Sequence, residues 1–378
     1  MGGCRRGIFS GKQQGCCCIL IGSNFMIVPK SFAIHVTYTC PLSCSHCCFS
    51  SSPSNRDQLS TSRAEELIEA IDKTSVRLVA FTGGEPFLLG RDLVRLVRLA
   101  SDRGFRTRIV TSAYFGTSQA SASERLKQVA DVGLNELSIS WDDFHEEYVP
   151  FERINTVFWS ARRLGISVAV NTVVYAKSRW TAARVRAALA LAEDDPAVTV
   201  QSAVNLTGRA AESLGPSDLH EQRAVGPCPY VLTGPTVSAK GKLLACCGVI
   251  PNTEALTVAE DITGGELNAA INRASESALL NWLYLRGPYA IVEHIGMQYG
   301  IKVPAPNEFG GNCEACQYLF QNPEISVHIP AALTEKCSEI ANEVYLLDAL
   351  GLLQPEIYGR LWSRRSFLAE ISQLESDG

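Results

Sequence analysis

From Ala33 onward the chain alternates between two hydrophobic periods. The stretches Ile34 to Tyr38, Leu78 to Thr82, Arg106 to Thr111, Glu136 to Trp141, Ser167 to Val174 and Val198 to Ala203 are short and rich in branched or aromatic residues, which predicts strands. Between them, Arg63 to Lys73, Arg91 to Arg103, Ser123 to Val132, Ile154 to Leu164 and Thr181 to Glu193 carry apolar residues at helical spacing. Repeated strand-then-helix units predict an α/β fold with a parallel sheet. Periodicity alone leaves a doubly wound sheet and a barrel both open.

Beyond Asn205 the alternation stops. Leu206 to Gly226 is polar and Gly-rich and reads as a linker, and Val231 to Ala245 reads as a hairpin turning at Lys240-Gly241-Lys242. Gly265 to Leu285 reads as helical and Gly287 to Asn312 as irregular. Thr334 to Leu374 reads as two amphipathic helices parted near Gly351 to Pro355. The expected organisation is a poorly ordered extension over 1–32, an α/β unit over 33–205, a small α+β domain over 206–330 and a helical tail over 331–378.

Composition narrows the classes. At 378 residues, with 46% hydrophobic and 19% charged residues, the chain suits two domains or one large barrel with an appendage. A net charge of -5 gives no electrostatic footprint for nucleic acid. Fourteen cysteines would suggest disulfides in a small secreted protein. Here they cluster at metal-ligand spacings, which calls for thiolates kept reduced in the cytoplasm. Arg5-Arg6 and the apolar stretches after it hint at a signal segment, but no apolar run reaches bilayer length, and no membrane association is expected. Met1-Gly2-Gly3-Cys4 fails the myristoylation pattern because Arg6 stands where Ser or Thr is needed. Cys16-Cys17-Cys18 receives no assignment.

The most specific motif is Cys40-Pro-Leu-Ser-Cys44-Ser-His-Cys47, a C-x3-C-x2-C loop directly after the first strand. Three thiolates cannot close a four-cysteine site, so a 4Fe-4S cluster held here keeps one iron open to an exogenous ligand. The second strand ends in Gly83-Gly84-Glu85-Pro86. Together, these features over roughly residues 33 to 203 resemble the radical S-adenosylmethionine (SAM) superfamily. The resemblance implies a partial (β/α)6 barrel with its chemistry at the C-terminal strand ends, where the cysteines, the Gly-Gly-Glu-Pro turn and Asp142-Asp143 all fall.

It also implies a division of labour. The open iron would bind SAM through its methionine amino and carboxylate groups, and reductive cleavage would give a 5'-deoxyadenosyl radical that takes a substrate hydrogen atom. The turn Gly83, Gly84, Glu85 and Pro86 would hold the methionine ammonium, the glycines letting backbone come close to the ligand. His46 stands where the family places an aromatic residue beside the adenine, the alternative being a packed or exposed imidazole. Cys48 is expected to be a bystander. Ser112, Ser138, Ser140 and Asp142 occupy positions that touch the SAM carboxylate and ribose, with Asn171 a weaker candidate. In Trp141 to Tyr148, the residues Asp142, Asp143 and His145 would orient a polar substrate or take a proton, the alternative being a solvated acidic loop.

A second cysteine group follows. Cys228, Gly241 and Cys246 match the C-x(9-15)-G-x4-C pattern of radical SAM enzymes with a SPASM or twitch domain, and Cys313 and Cys316 would complete four thiolates for one auxiliary 4Fe-4S cluster. The Gly-x4 spacing selects Cys246 over Cys247. Only Cys337 follows Cys316, so the shorter, twitch-like type is expected. Zinc on the same thiols is the alternative. An auxiliary cluster suits removal of an electron from a substrate radical, so the expected reaction is oxidative modification of a ribosomally made peptide. Dehydrogenation of a small alcohol or sugar-like metabolite is the runner-up. A non-catalytic iron-sulfur electron carrier or zinc scaffold would leave the open three-cysteine loop unexplained. Expected partners are the peptide or small-molecule substrate, an external electron donor such as flavodoxin or ferredoxin, and a separate peptide-recognition protein.

Overall fold

A computed structural model describes residues 27–72, 75–192, 195–220, 225–248, 254–350 and 352–353. The 1–32 extension and the second tail helix fall almost wholly outside the described residues. Six strand-and-helix units come first: β1 (Ser31–Thr37), α1 (Thr61–Ala70), β2 (Leu78–Gly83), α2 (Arg91–Asp102), β3 (Arg106–Thr111), α3 (Gln119–Ala130), β4 (Glu136–Ser140), the single turn α4 (Asp143–Glu146), α5 (Phe151–Arg163), β5 (Ser167–Val174), α6 (Ala182–Ala188) and β6 (Val198–Ala203). Each of β1 to β6 pairs in parallel with the next, in chain order. A doubly wound sheet would reverse its order at a switch point. Unbroken order with β6 left unpaired to β1 is that of an open, partial barrel, as the resemblance implied.

The strand pleat sorts the two faces. One row crosses the sheet as Ile34, Phe81, Ile109, Leu137 and Val168, each register-paired with the next and nearly fully buried. These side chains pack with Leu67, Leu96, Leu126 and Phe158 of the helices in one core. Burial of each such side chain is worth about 1.5–3 kcal/mol. The alternate row, on the other face, is polar: Arg108 pairs with Glu136, Val110 with Ser138, and Ser140 with Asn171.

The chain continues as α7 (Ala210–Ser213), β7 (Thr236–Val237), β8 (Leu243–Leu244), β9 (Thr257–Ala259), α8 (Gly264–Ser275), α9 (Ala278–Arg286), α10 (Pro288–Tyr299), α11 (Asn312–Gln321), α12 (Pro323–Ser326) and α13 (Ile329–Ala349). The hairpin forms where expected, with Gly241 in its turn. β7 also lies parallel to β1, Ala33 opposite Thr236 and Ile34 opposite Val237, so the barrel sheet grows to nine strands. The second lobe is thereby bonded to the first, and α8 docks on α1 through Gly264 N–H to Glu66 (2.8 Å) and Asn268 Nδ2 to the Ala70 carbonyl (2.9 Å). A second core gathers Trp282, Leu283, Ile291, Ile295, Leu319 and Ile340.

Two expectations need correction. Gly287 to Asn312 is not irregular: α10 fills its first half, with Pro288 at the first helical position and Gly300 in the left-handed cap. The Gly287-Pro288 pair is a helix start. The tail helix begins at Ile329, ahead of Thr334, because Ile329 and Ala332 bury into the second core.

Candidate active site

The cysteine loop is held at both ends. Cys40 N–H donates to the Ser52 carbonyl (3.1 Å) and Cys47 N–H to that of Cys44 (3.1 Å). Cys40 and Cys44 are buried and Cys47 is half-buried. Burial, and then the charges of Glu85 and Cys47, push the Cys40 thiol up to about 12, and burial with the charges of Cys47 and Cys40 pushes Cys44 higher still. One nitrogen each of His46 and His145 lies within 4.8 Å of the Cys44 sulfur and of the other. Arg209, which no motif marks, straps the loop. Its guanidinium donates to the carbonyls of Cys44 (2.6 Å) and Ser51 (2.6 Å), and its backbone N–H donates to that of Cys47 (3.0 Å). Tyr148 adds a bond from its hydroxyl to the Ser43 carbonyl (3.1 Å).

The Gly83-to-Pro86 turn sits beside this loop, with a geometry different from the one expected. Gly84 N–H donates to Thr37 O (2.6 Å) and Glu85 N–H to Thr39 O (2.9 Å), joining the turn to the root of the cysteine loop. A Cβ on Gly84 would lie 2.2 Å from the Thr39 carbonyl oxygen. The close approach that glycine permits here is to backbone of the same protein. Pro86 and Phe87 are buried at the start of the following helical turn. The Glu85 carboxylate points inward, fully buried, and accepts from Thr111 Oγ1 (2.9 Å), Ser112 N–H (2.9 Å), Ser112 Oγ (2.6 Å) and Phe87 N–H (3.2 Å). Burial raises its pKa against those bonds. Glu85 and Ser112 therefore bond each other, and what the turn offers outward is its backbone.

Past β4 the polar groups converge. Asp142, fully buried, caps α4: Oδ1 accepts from Phe144 N–H (3.0 Å), His145 N–H (3.1 Å) and His145 Nδ1 (2.9 Å), and Oδ2 from Val173 N–H (3.2 Å). Burial alone would raise its pKa, but His145, His46 and these donors hold it at about 2. His46 lies flat on Phe144 (centroids 4.4 Å apart), with Nε2 3.6 Å from Asp142 Oδ2, and burial lowers its pKa to about 4. Asp143 departs from its expected role. Its carboxylate is occupied by Arg179 Nε (3.0 Å) and the backbone N–H groups of Arg179 and Trp180, so it fastens α4 to the loop after β5. Ser138 accepts from Asn171 Nδ2 (2.5 Å), and Ser140 ends β4 on the same face.

Comparison with known proteins bears on this geometry. Residues 34–175 match the family model described as the Radical SAM superfamily. Residues 34–175 form a radical SAM domain. The chain is 26% identical over 147 residues to a putative peptide biosynthesis protein, YydG, of Bacillus subtilis strain 168, covering 38% of this chain and 46% of that protein. It is 30% identical over 161 residues to the PqqA peptide cyclase of Bradyrhizobium diazoefficiens, covering 39% and 40% respectively. The matched stretch thus spans less than half the length of either relative. Among solved structures, that of anSMEcpe with bound AdoMet and Cp18Cys peptide aligns at 12% identity and a TM-score of 0.47, covering 84% of this chain and 99% of that one.

A radical SAM domain uses a 4Fe-4S cluster and SAM, and the donor set here fits. Burial makes Cys40 and Cys44 resist ionisation where they lie, a cost that a positively charged centre removes. Cys40, Cys44 and Cys47 are the residues that would hold the cluster.

The second group of cysteines assembles around the end of β8 and the start of α11. Cys246 and Cys316 are buried and Cys228 and Cys313 half-buried, in or against the second core. Burial pushes the Cys228 thiol up to about 11 and Cys313 and Cys316 well above the ordinary range. Two more join them: Cys247 and, from the radical SAM loop, Cys48, whose charges both reach Cys313. His35 marks the seam. It is fully buried on β1, its Nδ1 is 3.1 Å from the Tyr38 hydroxyl, and its Nε2 has no partner among the described residues.

Proposed function

We propose that the protein is a radical SAM enzyme that oxidatively modifies a ribosomally made peptide. The carrying observation is the placement of two thiol groups on either side of one seam, with the polar sheet face and the Asp142, His145 and His46 cluster beside the first. The names of the curated relatives, a peptide biosynthesis protein and a peptide cyclase, support a peptide over a small alcohol. No helix among the described residues is long and apolar enough to cross a membrane.

Cys40, Cys44 and Cys47 would hold the cluster, whose chemistry would be to supply an electron to SAM and so a radical able to take hydrogen from carbon. The chain's own residues do the rest. Backbone carbonyls of the Gly83 to Pro86 turn would accept from the methionine ammonium, while Ser138 and Ser140 lie on the face where a ribose or carboxylate would rest. Asp142 accepts from Nδ1 of His145, which leaves Nε2 with the lone pair to take a proton released when the substrate radical is oxidised. Cys228, Cys246, Cys313 and Cys316 would hold an auxiliary cluster, which would supply an acceptor for the electron. A flavodoxin or ferredoxin would provide the first electron, and a separate recognition protein would deliver the peptide.

The test is anaerobic reconstitution of the full chain with iron, sulfide, reductant and SAM. The wild type is expected to bind about eight irons and release 5'-deoxyadenosine, and the Cys40, Cys44 and Cys47 triple alanine variant to lose about four irons and all cleavage. Persistent 5'-deoxyadenosine from the triple variant would overturn the assignment.

A further inference from the structure

We propose that Cys44, His46 and His145 form a mononuclear site for a divalent ion of the zinc class, filled when the cysteine loop holds no cluster. The ion site stands on these residues alone. Its exclusion of a cluster rests on the reading of Cys40, Cys44 and Cys47 as cluster ligands.

The donors come from two segments that only the fold brings together, the loop after β1 and the helical turn α4. The Cys44 sulfur, one nitrogen of His46 and one nitrogen of His145 all lie within 4.8 Å of one another. Sulfur and nitrogen ligands of one tetrahedral ion, bound at about 2.0–2.3 Å, stand roughly 3.3–3.6 Å apart. Side-chain shifts of about an ångström therefore close the site around an ion.

Asp142 stands behind both imidazoles. It is fully buried, its Oδ1 accepts from His145 Nδ1 (2.9 Å), and its Oδ2 lies 3.6 Å from His46 Nε2. A carboxylate in that place fixes which ring nitrogen carries the proton and which is left for a metal. For His145 the nitrogen left is Nε2. For His46 it is Nδ1, which is buried without a partner among the described residues. A buried polar atom with nothing to bond is costly, and an ion gives this one a partner. The two rings are 10% and 12% exposed and meet edge to face at 4.9 Å, and stacking on Phe144 holds His46 in place.

Charge and donor type select the ion. Cys44 as thiolate and Asp142 as carboxylate bring two negative charges, while the Arg209 guanidinium is taken up by the carbonyls of Cys44 and Ser51. A divalent cation balances the pair. One sulfur and two imidazoles suit zinc or ferrous iron, whereas magnesium and calcium require oxygen ligands. Cys44 cannot serve an ion and a cluster together, so the two occupy the loop in turn.

The experiment uses the full chain, freed of metal under anaerobic reducing conditions, with zinc alone as the probe, and counts the zinc retained per chain after gel filtration. The second cysteine group can also take zinc, so each result is read as a difference from the wild type. His46→Gln, His145→Gln and Cys44→Ser are each expected to retain about one zinc fewer, and the Cys40→Ser, Cys47→Ser double variant to retain as much as the wild type. With cobalt(II) in place of zinc, the wild-type spectrum minus that of His46→Gln should carry sulfur-to-cobalt charge transfer. After zinc loading, the His46→Gln, His145→Gln double variant should take up about four more irons than the wild type on reconstitution. Far-UV circular dichroism of each variant separates lost ligation from lost folding. Zinc unchanged in the histidine variants, zinc lost from the Cys40, Cys47 variant, or a difference spectrum without charge transfer would overturn the site. Equal iron uptake after zinc loading would overturn the exclusion. A zinc-free wild type that takes up no more iron than the Cys40, Cys44 and Cys47 triple alanine variant would overturn the cluster reading instead, and leave the zinc results standing.

Discussion

Arg209 and Cys44 lie 165 residues apart in sequence, yet Nη1 of the arginine donates to the cysteine's carbonyl at 2.6 Å. With the second bond to Ser51, this makes one side chain from beyond the sixth strand the clamp of the loop that would hold the catalytic cluster. Arg209→Ala removes two charge-assisted bonds and leaves two carbonyls underused, a cost on the order of 2 kcal/mol. The expected result is faster loss of iron from the first cluster on chelator challenge, with the second cluster unaffected. Equal loss from both would show a general destabilisation instead.

Gly84 is predicted to be needed for folding of the loop root. Because a Cβ would meet the Thr39 oxygen at 2.2 Å, Gly84→Ala should lower the melting temperature of the metal-free protein and its iron content together. Unchanged melting with weakened SAM binding would instead place the ligand against this Cα.

Asp142 carries a testable pH signature. Its folded pKa of about 2 lies below the ordinary 3.8, so its stabilisation is present above pH 3.8 and lost as pH falls through about 2. The difference amounts to about 2 kcal/mol. Asp142→Asn also turns an N–H toward that of Val173, where an acceptor stood. The variant should melt lower at pH 7, and the gap to the wild type should narrow below pH 4.

His35 should act with the opposite chemistry and the same pH sense. Burial holds its pKa at about 3 against 6.5, so the unfolded chain takes a proton that the folded one refuses, and stability drops as pH falls from 6.5 toward 3. Between pH 6.5 and 5 this is about 2 kcal/mol. His35→Asn keeps a group able to bond Tyr38 and should flatten that part of the profile in urea titrations. A profile as steep as that of the wild type would mean the ring is protonated in place.

The sequence by itself determined the six parallel strands, nearly residue for residue over Arg106–Thr111, Ser167–Val174 and Val198–Ala203, and the three-thiol loop after β1. Both are local: a period of two is written along the strand it describes, and three ligands within eight residues need no distant partner. Tertiary structure decided the rest. Glu85 reads as a ligand residue, but Thr111 and Ser112 at the end of the next strand turn its carboxylate inward. Asp142 and Asp143 are adjacent and alike in sequence, yet one meets His145 and the other Arg179, because α4 sends them to different neighbours. Residue type and spacing establish which groups are available. The direction each one points is fixed by contacts remote along the chain.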